Sequence, residues 1–145
     1  VKNLRRERKM NKSIQGKKNR RKGALFERKV RADLEKQGWI VDKWSNNVDL
    51  EKDRMHPAHT NRFNMRTCGF PDFICFKVIV NLKNSGELYF DVIAVECKTN
   101  GYLSKVEKEK CKWLLDNNIF SKILVASVSK ENRGDIVYKE VERNE

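Results

Sequence analysis

The sequence predicts an α/β domain in which a central β-sheet is flanked by helices. Three observations predict it. Phe26, Val30 and Leu34 recur at four-residue steps, the stripe of a helix that buries one face. Residues 73–80 and 88–95 are β-branched and aromatic runs separated by Asn81-Leu82-Lys83-Asn84-Ser85-Gly86-Glu87, which has turn chemistry. A second helical stretch then leads into another apolar run, 123–128. At 145 residues, with 39% hydrophobic and 36% charged residues, the chain is long enough for one domain with a sizeable core.

The elements follow in order. Residues 1–21 form a basic, flexible N-terminal arm, and 22–145 a single domain. Residues 22–37 read as a helix that Gly38 stops. Residues 39–44 read as a strand. Residues 45–70 are the least regular part, too long for a tight connection, and read as a lid or a partly mobile segment. The apolar density of the two hairpin strands predicts a sheet covered on both faces. Ser104 is an N-cap, with Glu107 completing a capping box. The helix behind it runs to about Asn117, with Val106, the Lys110 stem, Trp113 and Leu114 as its stripe. Residues 123–128 read as a buried strand and 135–141 as a short edge strand.

The net charge of +12 is unevenly placed. Residues 1–22 hold eleven lysines and arginines against one acid, Glu7, and so carry +10 of it. A basic arm beside a nearly neutral body attracts polyanions in a salt-dependent way. Arg5, Arg6, Lys17, Lys18, Arg20, Arg21 and Lys22 are its candidate nucleic-acid contacts. Arg54, Arg62 and Arg66 in the irregular segment either bind phosphates or are solvated loop charge. No apolar run approaches the roughly 20 residues that span a bilayer. The polar, basic start shows no secretory signal, so a cytoplasmic setting is expected, or the host cytoplasm if the source is viral. Cysteines 68, 75, 97 and 111 have no CxxC spacing and read as reduced thiols. His56, His59 and Cys68 match no common zinc spacing. Trp39, Trp44 and Trp113 read as core.

Two short stretches carry the chemistry: Gly69-Phe70-Pro71-Asp72 and Val95-Glu96-Cys97-Lys98. A hairpin reflected about Asn84 sets Asp72 opposite Glu96, at a Cα separation of roughly 5 Å. Lys98, two residues on, points to the same face. Two carboxylates at one strand end suit Mg²⁺, with Mn²⁺ as substitute, and the Cys97 main-chain carbonyl offers a third oxygen. Such an ion polarises a phosphate and acidifies a water, while Lys98 orients that water or meets growing negative charge. Glu27, bordering the apolar face of the first helix, either touches the ion, directly or through water, or pairs with Arg31 one turn on. The bland alternative for the set is a structural Asp72–Lys98 ion pair.

These residues resemble the PD-(D/E)xK nuclease superfamily, Pro71-Asp72 matching "PD" and Glu96-Cys97-Lys98 matching "ExK". Lys22-Gly23-Ala24-Leu25-Phe26-Glu27-Arg28 is similar to the opening helix of archaeal Holliday-junction resolvases and archaeal-virus-type nucleases. The resemblance covers about residues 22–128. It implies a restriction-endonuclease-like αβββαβ core with a central mixed sheet flanked by helices. It also implies a Mg²⁺-dependent deoxyribonuclease with Glu27, Asp72, Glu96 and Lys98 as its catalytic set. The expected substrate is duplex or branched DNA, in repair, recombination or viral replication. A homodimer without organic cofactor is expected. Glu107 and its neighbours depart from the glutamine many relatives carry early in the second helix. A non-catalytic basic nucleic-acid-binding module that keeps the fold is the alternative. An RNA-binding protein has only charge in its favour, since no signature with interleaved aromatics is present.

Overall fold

The computed structural model describes residues 2–58 and 69–143. Helix α1 (Lys2–Lys36) is followed by β1 (Ile40–Lys43), β2 (Asn46–Asp49), β3 (Arg54–Pro57), β4 (Phe73–Leu82) and β5 (Glu87–Cys97). Helix α2 (Lys105–Asp116), β6 (Lys122–Val128) and β7 (Ile136–Glu140) complete the chain. Five strands form one sheet in the order β1-β4-β5-β6-β7. The sheet is mixed: β5 and β6 run parallel, joined across α2, and the other neighbours are antiparallel. β7 is the edge strand the sequence predicts.

Alternation along the central strands sends residues to two cores. Phe26, Val30 and Leu34 of α1, all buried, pack on Val41, Phe73, Cys75, Ile93 and Val95. On the opposite face Cys111, Leu114 and Leu115 of α2 pack with Ala94, Phe120 and Ile123. Both helices end in the same way. Gly38 and Asn118 take left-handed conformations, and the following amides, of Trp39 and Ile119, donate to the carbonyls of Leu34 and Leu114.

Four expectations need correction. The first helix does not begin at residue 22, and the basic segment does not lie outside it. It is the N-terminal part of α1, because Lys, Arg, Gln and Met favour helix and no proline intervenes. The irregular segment contains a two-stranded sheet, β2 with β3, that packs on α2 through buried Val48. Helix α2 buries Cys111 and Leu115, whereas Val106 is exposed. The sheet is covered on both faces only where α1 and α2 lie. β1 pairs with β4 as far as Phe76, β6 pairs with β5 from Ile93, and the far half of the β4–β5 hairpin extends beyond both.

The hairpin register also holds a surprise. From Phe73↔Val95 to Val78↔Phe90 the partners are those of a reflection about Asn84. From Val80↔Tyr89 to Leu82↔Glu87 they are shifted by one, and a bulge between Val78 and Val80 absorbs the difference. The end that matters keeps the expected alignment.

Candidate metal and phosphate site

Asp72 and Glu96 meet where β4 begins and β5 ends. Each carboxylate accepts a backbone amide from the facing strand. Asp72 N donates to Glu96 Oε2 at 3.1 Å, and Cys97 N donates to Asp72 Oδ2 at 2.8 Å. The Asp72 carbonyl in turn accepts Trp44 N at 3.0 Å, and Phe70 N donates to Asn46 O at 2.9 Å. Gly69 lies within this seam. A Cβ there would stand 2.1 Å from Trp44 O and 2.7 Å from Asn46 O, so only glycine lets the backbones pass. The Gly-Phe-Pro run before Asp72 is therefore positional: it presses the aspartate against the β1–β2 corner.

Glu96 is 5% exposed and is the one charged residue in the buried class among the described residues. Burial first, and the Asp72 charge second, push its carboxyl up to about 8. Asp72 is also raised, mainly by burial, with the Glu27 charge adding and the Cys97 amide opposing. Two close, dry carboxyls that resist double ionisation lack counter-charge.

Lys98 supplies part of that charge. Its Nζ lies 3.4 Å from Glu96 Oε1 and 2.5 Å from Glu107 Oε1. Burial pulls the ammonium down, but its bonds to Glu107 and Glu96 outweigh this and hold it above its ordinary value. No Asp72–Lys98 ion pair forms among the described residues, so the bland alternative in its simple form is not what the fold builds. Glu107 was legible as a cap but not as a partner of Lys98. Its Oε2 accepts Ser104 N at 2.7 Å, closing the capping box, while Oε1 holds the lysine. The start of α2 and the end of β5 are thus fastened at one carboxylate. Burial opposes ionisation of Glu107, yet the Lys98 bond and the Ser104 amide leave its titration lowered.

Glu27 is brought to the same end of the sheet from the other face. Its Oε2 lies 2.5 Å from Lys43 Nζ, and its charge raises both Asp72 and Cys97. The Glu27–Arg31 alternative is not realised: Arg31 pairs with Glu35 at 3.0 Å and donates to Val41 O at 2.9 Å. Lys43, at the end of β1, is a second basic neighbour that the sequence reading missed. Burial pushes the thiols of Cys75 and Cys111 up to about 12 and raises that of Cys97, so all three stay protonated.

The remaining candidates lie elsewhere. Arg5, Arg6, Lys17, Lys18, Arg20, Arg21 and Lys22 are exposed along α1, and Arg54 is exposed at the start of β3. Arg62, Arg66, His59 and Cys68 fall outside the described residues. β2–β3 is tied to α2 by Lys110 Nζ to Asn47 Oδ1 at 2.9 Å and Trp113 Nε1 to Asp53 Oδ1 at 2.6 Å.

Among the described residues, no group of three or more His, Cys, Asp or Glu side chains forms a ready-made metal cage. The donor chemistry nevertheless fits a hard cation of the Mg²⁺ class, which needs one or two carboxylates and completes its shell with water and phosphate oxygen. Asp72 and Glu96 are the carboxylates that could meet that need. Among the described residues no helix is long and apolar enough to cross a membrane. Comparisons with protein-family models, with curated proteins and with solved structures give no significant match.

Proposed function

We propose that this protein is a Mg²⁺-dependent DNA endonuclease of the PD-(D/E)xK kind. The observation that carries the reading is the cross-bonded Asp72–Glu96 pair with Lys98 beside it at the end of one strand pair. The order α1, β1, β4, β5, α2, β6 on a mixed sheet supports a restriction-endonuclease-like core.

Charge bookkeeping supports a single divalent ion. Asp72, Glu96, Glu107 and Glu27 would carry four negative charges against two positive ones on Lys98 and Lys43. The deficit equals one divalent cation. Asp72 and Glu96 would hold it, with the Cys97 carbonyl as a third oxygen. When bound, the ion supplies charge that polarises the scissile phosphate and acidifies a water. The protein's part is positioning. The two backbone amides fix the carboxylates, so they need no reorganisation when a phosphate arrives. Lys98, braced by Glu107, presents a fixed ammonium to the attacking water or to the phosphate oxygens. Glu27 approaches from the opposite face and can hold a water at the ion's edge.

The exposed start of α1 supplies affinity. From residue 2 to residue 22 it is a rod about 30 Å long, close to one turn of duplex DNA. Its charge is nearly all basic, which suits phosphate contact without sequence reading.

A competing reading, a binding module without chemistry, draws on the same Lys98 network, because Glu96 and Glu107 also satisfy that lysine structurally. Cleavage of labelled four-way junction, flap, duplex and single-stranded DNA in Mg²⁺, Mn²⁺ or EDTA separates the two. The nuclease reading expects metal-dependent cutting that Asp72→Ala and Glu96→Ala abolish while DNA binding persists. Tight, salt-sensitive binding with no cutting under any divalent ion would establish the binding module instead.

A further inference from the structure

Helix α2 packs over β5 and β6 and leaves exposed side chains on β7. Val125 lies on the same face of β6 as Ile123, the face toward α2. Lys139 stands opposite Val125 on that face and is exposed. Between the side of α2 and this part of β7 runs an open groove of about 590 Å³, with buried Val125 in its lining. A volume of this order suits a small organic ligand; roughly one or two nucleotides fit, and a duplex does not.

The lining includes an aromatic ring that neither core uses. Tyr102 is 69% exposed, more than any other large apolar or aromatic side chain among the described residues. The turn that carries it is fixed. Gly101 takes a left-handed conformation with φ 78°, and its amide donates to Lys98 O at 2.8 Å. The Tyr102 amide donates to Asn100 Oδ1 at 3.1 Å. A flat ring presented to water by a fixed turn is a platform on which any base can stack.

The charges say what else the ligand carries. Lys105, Lys108 and Lys112 recur at three- and four-residue steps, so α2 sets one row of ammonium groups along the groove. Lys139 joins them from β7. Lys112 is paired with Asp116 at 2.9 Å. Lys105, Lys108 and Lys139 form no ion pair among the described residues. The row spans about 10 Å of helix, room for more than one phosphate. Glu109, Glu140 and Glu142 line the groove as well. They repel a second phosphate backbone, which favours one strand over two. Carboxylates also accept hydrogen bonds from base amino groups. The basic rod of α1, with a single acid in residues 1–22, has no such restriction and suits a duplex.

We infer that the groove between α2 and β7 is a binding site for single-stranded DNA. One base stacks on Tyr102, and the flanking phosphates meet Lys105, Lys108 and Lys139. The site is separate from the Asp72–Glu96 pair and requires no cutting there. Tyr102 follows Lys98 by four residues, across one tight turn. Under the nuclease reading, the groove would therefore guide an unpaired strand to or from the scissile phosphate.

The test is fluorescence titration with an oligothymidylate of about six nucleotides, one of them replaced by 2-aminopurine. It is run in EDTA, so that nothing is cut, and at about 0.2 M NaCl, which weakens the contribution of the α1 rod. Stacking on Tyr102 should quench the 2-aminopurine. Tyr102→Ala should lower affinity about 10-fold and remove the quench, whereas Tyr102→Phe should keep both. Lys105→Ala combined with Lys108→Ala should flatten the slope of log affinity against log salt by about 1.4 for the single strand. Affinity for a duplex of about 20 base pairs, read by anisotropy, should stay within about twofold in every variant. Circular dichroism should show the fold retained, since all three side chains are exposed. Thymidine monophosphate, with one base and one phosphate, should bind at least about 100-fold more weakly than the oligomer. Unchanged affinity and quench in folded Tyr102→Ala overturn the inference, as does an equal loss for the duplex. A monophosphate that binds as tightly as the oligomer overturns it too, because the ligand would then be a free nucleotide. A protein that never cuts DNA can still pass this test, so its outcome is separate from that of the nuclease reading.

Discussion

Replacing Glu96 with glutamine should stabilise the metal-free protein at alkaline pH and change it little at acid pH. The glutamine oxygen can keep the Asp72 amide bond that Glu96 Oε2 accepts at 3.1 Å. What disappears is the buried charge. In the fold the Glu96 carboxyl titrates at about 8, against an ordinary value of 4.5. A carboxyl raised in the folded state contributes fully below its unfolded value, and that contribution is withdrawn as pH climbs through the folded value. The window is therefore from about 4.5 to 8, with stability falling as pH rises. The ceiling on the loss is about 5 kcal/mol, and less to the extent that water or Lys98 relieves the charge. At roughly 3 °C per kcal/mol for a chain of this length, melting temperatures should diverge by up to about 15 °C. The assay is thermal unfolding of wild type and Glu96→Gln in EDTA, stepped from about pH 5 to pH 9. The two should coincide at the acid end and separate above neutrality, the variant melting higher. Saturating Mg²⁺ at about 100 times its Kd should return roughly 2.7 kcal/mol to the wild type. It should return little to the variant. A gap that does not vary with pH would refute the reasoning. It would mean that Glu96 is ionised throughout and that Lys98 already satisfies it.

Three further outcomes are expected. Gly69→Ala places a methyl 2.1 Å from the Trp44 carbonyl, a backbone atom that cannot swing away, and should cost about 2–4 kcal/mol in denaturant unfolding. Glu107→Gln preserves a capping-box acceptor but takes the charged partner from Lys98, so stability should fall by no more than about 1 kcal/mol. Under the proposed function the alkaline limb of its cleavage pH profile should move down, because Lys98 loses the bond that holds its ammonium up. Replacing Arg5, Arg6, Arg20 and Arg21 with alanine should weaken DNA binding alike for all sequences. It should also flatten the slope of log affinity against log salt by up to about 4, read by titration at several salt concentrations.

Much of this architecture could be read from residue types because it rests on local rules. The Phe26/Val30/Leu34 stripe, the stop at Gly38 and the Ser104–Glu107 box each need only neighbours within one or two turns. The parts that escaped depend on partners far along the chain. Lys43 becomes a neighbour of Glu27 only once β1 lies against α1, sixteen residues on. Glu107 meets Lys98 only when α2 docks on the end of β5. The phase of α2 was misread because Val106 is a better apolar signal than Cys111, yet the cysteine faces the sheet. The β2–β3 pair was missed because Asn46, Asn47 and Asp49 carry loop chemistry, and only buried Val48 anchors them. The continuation of α1 through the basic segment was missed for the opposite reason. Like charges argue for disorder, while the same lysines and arginines are good helix formers.

The bulge between Val78 and Val80 decides how site and outer hairpin relate. The turn by itself sets a register one residue away from the one at the strand ends, and carried through it would face Asp72 with Cys97 instead of Glu96. A slip of that kind turns every side chain to the opposite face of the sheet. Packing forbids it at the covered end, because Phe73, Cys75, Ile93 and Val95 must reach the α1 core while Ala94 reaches the α2 core. The mismatch is therefore pushed outward to the first positions that no helix covers, where an extra residue displaces nothing buried. Core packing holds the carboxylates in register, and the bulge frees the outer hairpin from that constraint. The projecting half can then keep its own register without moving Asp72 or Glu96.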